Sequence, residues 1–275
     1  MPQDEKSSGF LDGRILVLAP HMDDEVMGCG GTIALLSDKS RVFVAYATDG
    51  RRLPGMVDCG RIEIRGRELG EIRAAEARAA LEALGVPVSN ARFMDLPVGS
   101  LKGRRWDVVP ALRKLVDEIR PESVLVPFRF DQHPDHVALN TACREACADM
   151  TGAPCLVEYF VYYRLKLLPG HDIRKCINPE FLRQNDIASV SETKRKALNC
   201  YESQVAAFFP GHKKPVFSPE LVESVVRGPE MFLQWPGSAP AGEIFTVSPA
   251  WIRFVHTVEP FLKWSKDKIL MRGLG

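Results

Sequence analysis

Two short, unbroken apolar runs constrain the fold more than any other feature of the chain. Arg14 to Ala19 reads RILVLA and Ser123 to Pro127 reads SVLVP, with no polar residue at alternate positions. A strand that faces water on one side alternates, whereas a strand covered on both faces does not. Runs of this kind therefore belong to a sheet with helices on both sides. A third run, Arg41 to Ala47 (RVFVAYA), is rich in β-branched and aromatic residues and reads as another strand. A weaker one covers Ala91 to Met94, and Cys155 to Tyr162 makes a fifth.

Between these runs the period changes to that of helices. From Arg61 to Leu84 the apolar residues Ile72, Ala75, Ala79, Ala83 and Leu84 fall at helical spacing; Gly85 then ends the segment and Pro87 prevents its continuation. Val108 to Ile119 and Val137 to Ala148 read as further helices. Strand-then-helix units in succession predict an α/β fold, a Rossmann-like, mostly parallel sheet with helices on both faces. We read residues 1–205 as this core and 206–275 as a C-terminal elaboration packed on the same domain. Ser191 to Phe208 predicts a helix capped by Ser191. Arg51 to Gly60 reads as a mobile loop, and Pro210 to Ala241 as irregular, because both are rich in Pro and Gly.

In open parallel sheets, ligands bind beyond the carboxyl ends of the strands. Two of the apolar runs empty into His and Asp clusters at that edge: Pro20-His21-Met22-Asp23-Asp24-Glu25 and Asp131-Gln132-His133-Pro134-Asp135-His136. Taken singly, each has an ordinary explanation. Acids favour the positive end of a helix, and a pair of histidines is commonly a surface feature. Two clusters at two strand ends are harder to dismiss. Imidazole and carboxylate are the ligands of a catalytic zinc, which takes three protein groups and keeps one position open. Such a site needs two imidazoles and a carboxylate as ligands and a second carboxylate as base.

PHMDDE and HPDH resemble the paired signatures of the zinc-dependent de-N-acetylases, the LmbE-like or PIG-L family that acts on N-acetylglucosaminyl conjugates. The resemblance implies a Rossmann-like fold, with His21, Asp24 and His136 as metal ligands and Asp23 as general base. It makes His133 the oxyanion stabiliser or acid, with Asp135 orienting it. It extends diffusely to Thr48-Asp49-Gly50, to Arg73 and Glu76, and to KRKALNCYESQ (196–204 within it), implying Asp49 and Arg73 as substrate-binding residues. Met22 stands where the family usually has proline, which predicts a less rigid loop. The implied reaction is hydrolysis of an N-acetyl group from an amino sugar, giving acetate and an amine. The implied cofactor is Zn2+, although Fe2+ suits the same ligands. Two other readings remain open: an amidase acting on a non-sugar amide or thiol conjugate, and a metal-binding module without turnover.

The other signals are negative or local. A formal net charge of +1 gives no electrostatic case for nucleic acid. Seven scattered cysteines without a CxxC pair predict reduced, packing thiols, Cys143 and Cys147 among them. The polar start MPQDEKSSGF and the lack of a long apolar run predict a cytoplasmic protein without a transmembrane segment, acting on a small-molecule or glycoconjugate substrate. A homo-oligomer is compatible with all of this. Gly28, Gly30 and Gly31 lack dinucleotide-loop spacing. The aromatic and basic stretch Trp251 to Leu270 predicts packing on the domain in preference to a membrane surface.

Overall fold

The structure, a computed structural model, describes residues 10–11, 13–52, 63–64, 67–162, 172–209, 214–235, 241–255 and 258. The strands are β1 (Ile15–Ala19), β2 (Val42–Thr48), β3 (Glu63–Ile64), β4 (Arg67–Glu68), β5 (Ala91–Leu96), β6 (Ser123–Pro127), β7 (Cys155–Tyr159), β8 (Leu182–Asn185) and β9 (Glu230–Gln234). The helices are α1 (Asp24–Leu35), α2 (Leu69–Leu84), α3 (Arg105–Ile119), α4 (Pro134–Cys147), α5 (Ser191–Asn199), α6 (Glu202–Val205), α7 (Pro219–Arg227) and α8 (Ala241–Ile244).

Seven strands form one sheet in the order β5-β2-β1-β6-β7-β9-β8. The five strands from β5 to β7 run parallel, and β9 pairs antiparallel with both β7 and β8. The chain therefore travels outward from β1 through β2 to β5, then returns to β6 on the other side of β1. Adjacent strands whose crossovers leave in opposite directions create a crevice at their carboxyl ends. Here those strands are β1 and β6, in register from Ile15 opposite Ser123. They are also the two runs that end in the His and Asp clusters.

The alternation hidden in an all-apolar strand becomes visible in the packing. Ile15, Val17 and Ala19 join one core with Val26 and Ile33 of α1, Leu81 of α2 and Leu198 of α5. Leu16 and Leu18 join the opposite core with Leu112 of α3 and Leu139 of α4. Cys143 and Cys147 are packing residues of that second core, as their helical spacing predicted, and no described cysteine is in a disulfide. Gly28 lets α1 approach the sheet: a Cβ there would lie 2.1 Å from Tyr159 Cδ2. Gly31 is close-packed on another side, where a Cβ would lie 2.6 Å from Ile187 Cγ2. Tyr159 in turn donates its hydroxyl to Leu18 O at 2.8 Å, tying β7 to β1.

Several expectations need correction. The segment before α2 is not helical from residue 61: Glu63–Ile64 and Arg67–Glu68 pair as short antiparallel strands, and the helix begins at Leu69. Ser191 is the first residue of α5 and makes no capping bond, while the predicted long helix stops at Asn199. The break turns Tyr201 inward, where its hydroxyl donates to Glu25 Oε1. The stretch read as irregular holds α7 and β9, and β9 lies inside the sheet between β7 and β8. Of the expected loop Arg51 to Gly60, residues 53–60 lie outside the described residues, as do His171, His212, His256 and the tail from 259. In the described part of that tail, Ile252 and Val255 are buried, whereas Trp251 and Phe254 are exposed.

Candidate metal centre

The loop after β1 is pinned before it reaches the first histidine. Thr48, at the end of β2, donates both its backbone N–H (3.1 Å) and its hydroxyl (2.7 Å) to Pro20 O. The chain then turns sharply. Asp23, at the head of α1, has φ 149° and ψ −27°, a conformation that residues with a Cβ rarely adopt. Glu25 braces it, accepting the Asp23 backbone N–H at 3.2 Å. Strain of this kind persists only where the surroundings impose it, and it clusters at functional sites.

Asp24 and Glu25 sit in the first turn of α1, yet they are 1% and 0% exposed. Acids that merely favoured the helix dipole would be solvated. Instead, Asp24 Oδ2 lies 3.1 Å from His21 Nδ1 and 3.1 Å from His136 Nε2, and those two nitrogens are 3.3 Å apart. The three atoms form a nearly equilateral triangle. Ligands in a tetrahedron around zinc, at bond lengths of about 2.0–2.1 Å, are separated by about 3.3–3.4 Å. The residues present therefore fit a divalent cation in donor type and in spacing.

The far nitrogen of each ring meets a carboxylate. His21 Nε2 is 3.3 Å from Asp135 Oδ2, and His136 Nδ1 is 3.4 Å from Asp131 Oδ2. Carboxylates behind ligating imidazoles fix the tautomer and raise ligand basicity. Asp135 is itself anchored by the backbone N–H groups of Gly99 (2.6 Å) and Leu101 (3.2 Å). Asp131 accepts from the backbone N–H groups of His133 (2.8 Å) and Tyr162 (3.1 Å).

The charges follow from this arrangement. Burial pushes the His21 pKa down, but hydrogen bonds to Asp135 and Asp24 outweigh it and raise the value to about 9. For Asp24, burial is outweighed by His136 and then by His21, which hold the carboxyl well below its usual range. His136 is raised, because Asp24 and Asp131 overcome its burial. Asp23 is pushed up, first by burial and then by the charge of Asp24, with His21 and Arg73 opposing.

His133 borders the triangle: it, His21 and His136 each place one ring nitrogen within 4.8 Å of the others'. Its Nδ1 accepts the backbone N–H of Asp135 at 3.2 Å, which leaves Nε2 as the nitrogen that carries the proton in the neutral ring. Asp135 thus does hold His133, but through its backbone. Its carboxylate faces His21 Nε2 instead. Burial, followed by the charges of His21 and His136, lowers His133 to about 4.

The expected substrate residues sit on the β2 side. Arg73 is buried and donates from Nη1 to Gly50 O and to Arg52 O, both at 3.1 Å. With its amide oxygen turned inward, Gln204 accepts from Arg73 Nη2 at 2.9 Å. Glu76 accepts from Ser203 N (2.7 Å) and Ser203 Oγ (2.6 Å), locking α6 against α2. Asp49 is half-buried beside Arg73, its carboxylate accepting from Arg51 N at 3.1 Å. The roles of Asp131, Glu25 and Tyr201 were not readable from sequence. Asp131 was visible only as part of its cluster, and Tyr201 precedes a Ser-Gln pair that carried a weak signal.

A Rossmann-like sheet carries an imidazole and carboxylate cluster at its switch point, with donors and spacing that suit a divalent cation. Residues 16–147 match the PIG-L family, described as GlcNAc-PI de-N-acetylase. The diacetylchitobiose deacetylase of Thermococcus kodakarensis is 32% identical over 203 residues, covering 70% of each chain. A probable N-acetyl-alpha-D-glucosaminyl L-malate deacetylase 2 of Bacillus cereus is 27% identical over 210 residues, covering 72% of this chain and 86% of that protein. The chain belongs to the PIG-L de-N-acetylase family and is an enzyme of that hydrolase class. Solved structures share the fold: an N,N'-diacetylchitobiose deacetylase from Pyrococcus horikoshii matches at TM-score 0.55 and 24% identity, covering 82% of this chain and 84% of that one. A 4-carboxy-2-hydroxymuconate hydratase from a Pseudomonas matches at TM-score 0.55 and 22% identity, covering 78% and 84%. Because that neighbour has a different activity, the fold alone does not fix the reaction.

Proposed function

We propose that this enzyme removes the acetyl group from an N-acetylated amino sugar of N-acetylglucosaminyl type, with zinc held by His21, Asp24 and His136. The observation that carries the proposal is the donor triangle with His133 on its border, in a chain similar to two proteins described as sugar deacetylases. When bound, zinc brings the pKa of water to about 7 and polarises a carbonyl oxygen. Asp23, fixed by its strained backbone and by Glu25, takes the proton of the attacking water and returns it to the departing amine. His133 points a neutral Nε2–H at the oxygen that gains charge as the tetrahedral species forms. Its held tautomer favours oxyanion stabilisation over the acid role. Asp135 and Asp131 keep the two ligand rings oriented. Arg73 and Asp49 form the wall that would meet sugar hydroxyls, with Gln204 and the Gly50 carbonyl fixing the guanidinium.

The test is acetate release from N-acetylglucosaminides by zinc-loaded protein, compared with Asp23→Asn. The reading expects turnover that drops roughly 100- to 10,000-fold in the variant, with zinc content unchanged. Equal rates for the two proteins, or no acetate from any acetamido sugar, would sink it.

A further inference from the structure

A groove of about 830 Å³ leads away from the metal centre, sharing Asp131 and His133 with it. It runs between α4, the turn at Leu101–Arg104 that precedes α3, and the segment that holds Pro249 and Arg253. Its lining includes Lys102, Arg105, Arg129, Arg144 and Arg253, against one acid, Asp131, which is turned to His136. The whole chain has a net charge of only +1, so this is a local concentration of cations and not a property of the surface at large.

Arg105 and Arg129 are compensated from outside the lining. Glu145 pairs with Arg105, and Glu158, 1% exposed, holds Arg129. Lys102 and Arg144 have no ion-pair partner among the described residues. Arg129 is a fixed element of the wall, stacked 3.3 Å from the centre of the Trp235 ring. Burial and then the neighbouring charge of Arg144 work against its protonation, so like charges converge here. Arg253 lies over Phe130 at 5.3 Å on the facing side. Cations gathered along one groove favour an anion among them.

We propose that the amino-sugar substrate carries an anionic aglycone, a carboxylate or a phosphate, that lies in this groove against Lys102 and Arg144. The inference rests on the deacetylase reading of the adjacent centre. The relatives leave the aglycone open, since one is described for a malate-bearing sugar, whose aglycone is anionic, and the other for a neutral disaccharide.

The experiment uses the full-length, zinc-loaded protein and N-acetylglucosaminides, in both anomeric forms, with aglycones of matched size: hydroxyethyl, carboxymethyl and phosphoethyl. Acetate release gives kcat/KM, and calorimetry gives binding. The expected result is a preference of about tenfold or more for a charged aglycone, expressed in KM and shrinking as salt screens the groove. The two charged arms show which anion is preferred. In a Lys102→Ala/Arg144→Ala variant, the loss on the charged glycosides should exceed the loss on the neutral one by at least about fivefold. Charged and neutral substrates within twofold of one another, or equal losses on both, would overturn the proposal. If no glycoside is deacetylated, the deacetylase reading fails by itself. Calorimetry would then still decide the groove, since equal binding of charged and neutral glycosides refutes it.

Discussion

Replacing Asp135 by Asn probes the support of the metal centre without touching a ligand. Asp135 Oδ2 faces His21 Nε2 at 3.3 Å and accepts from Gly99 N at 2.6 Å, while Oδ1 accepts from Leu101 N at 3.2 Å. The amide keeps one oxygen, which serves best at the doubly used Oδ2 position. Its NH2 then faces the Leu101 N–H, a buried donor left against a donor, at a cost of about 1–3 kcal/mol of stability. His21 loses its charged acceptor and with it some basicity, which weakens metal affinity about 10- to 100-fold. A second effect opposes this one. The hydrogen bond to Asp135, with Asp24, holds the His21 proton at a pKa of about 9, and a metal must displace that proton. The variant sheds it more easily, so at pH 7 part of the loss is hidden. The assay is therefore a zinc titration against a competing chelator at pH 7 and at pH 9.5. We expect the full deficit at the higher pH and a smaller one at pH 7. An unchanged zinc affinity at pH 9.5, with only a lowered Tm, would refute the reasoning and leave Asp135 as a mere loop anchor.

Two further outcomes follow from the same structure. In the metal-free wild type, His21 has a raised pKa of about 9, so its proton is bound throughout neutral pH and metal binding must release it. The logarithm of zinc affinity should therefore climb by about one per pH unit for this group, levelling above pH 9; a flat profile between pH 6 and 8 would contradict the arrangement. Glu230 is buried, pairs with Lys194 Nζ at 2.6 Å, and accepts from Gly31 N and Thr32 N at 2.7 Å each. Glu230→Ala strands the buried ammonium and should cost about 3–5 kcal/mol in urea unfolding, whereas adding Lys194→Met should recover part of that loss. No recovery in the double variant would count against the pair as the cause.

The central strands were readable because burial on both faces removes polar residues, so β1, β2 and β6 stand out as apolar runs. The edge was not. β8 (LRQN) and β9 (EMFLQ) are short and of mixed polarity, and β9 lies in a stretch whose Pro and Gly suggested irregularity. Its place between β7 and β8 depends on pairing across some 75 residues of chain, which no local pattern encodes. The site divides in the same way. His21, Asp24, His133 and His136 were visible because each cluster is local and sits at a strand end. Which carboxylate stands behind which ring was not visible. That is decided by the turn carrying Gly99 and Leu101, whose N–H groups draw the Asp135 side chain toward His21. The bracing of Asp23 by Glu25, and of Glu25 by Tyr201, likewise depends on α5 ending at Asn199.

The most direct test of the account is anomalous diffraction at the zinc edge from crystals of the full chain grown with zinc. The account predicts a single strong peak per molecule at the β1/β6 crevice, within about 2.0–2.2 Å of His21 Nδ1, Asp24 Oδ2 and His136 Nε2. A peak bound elsewhere, or none at full zinc loading, would contradict it.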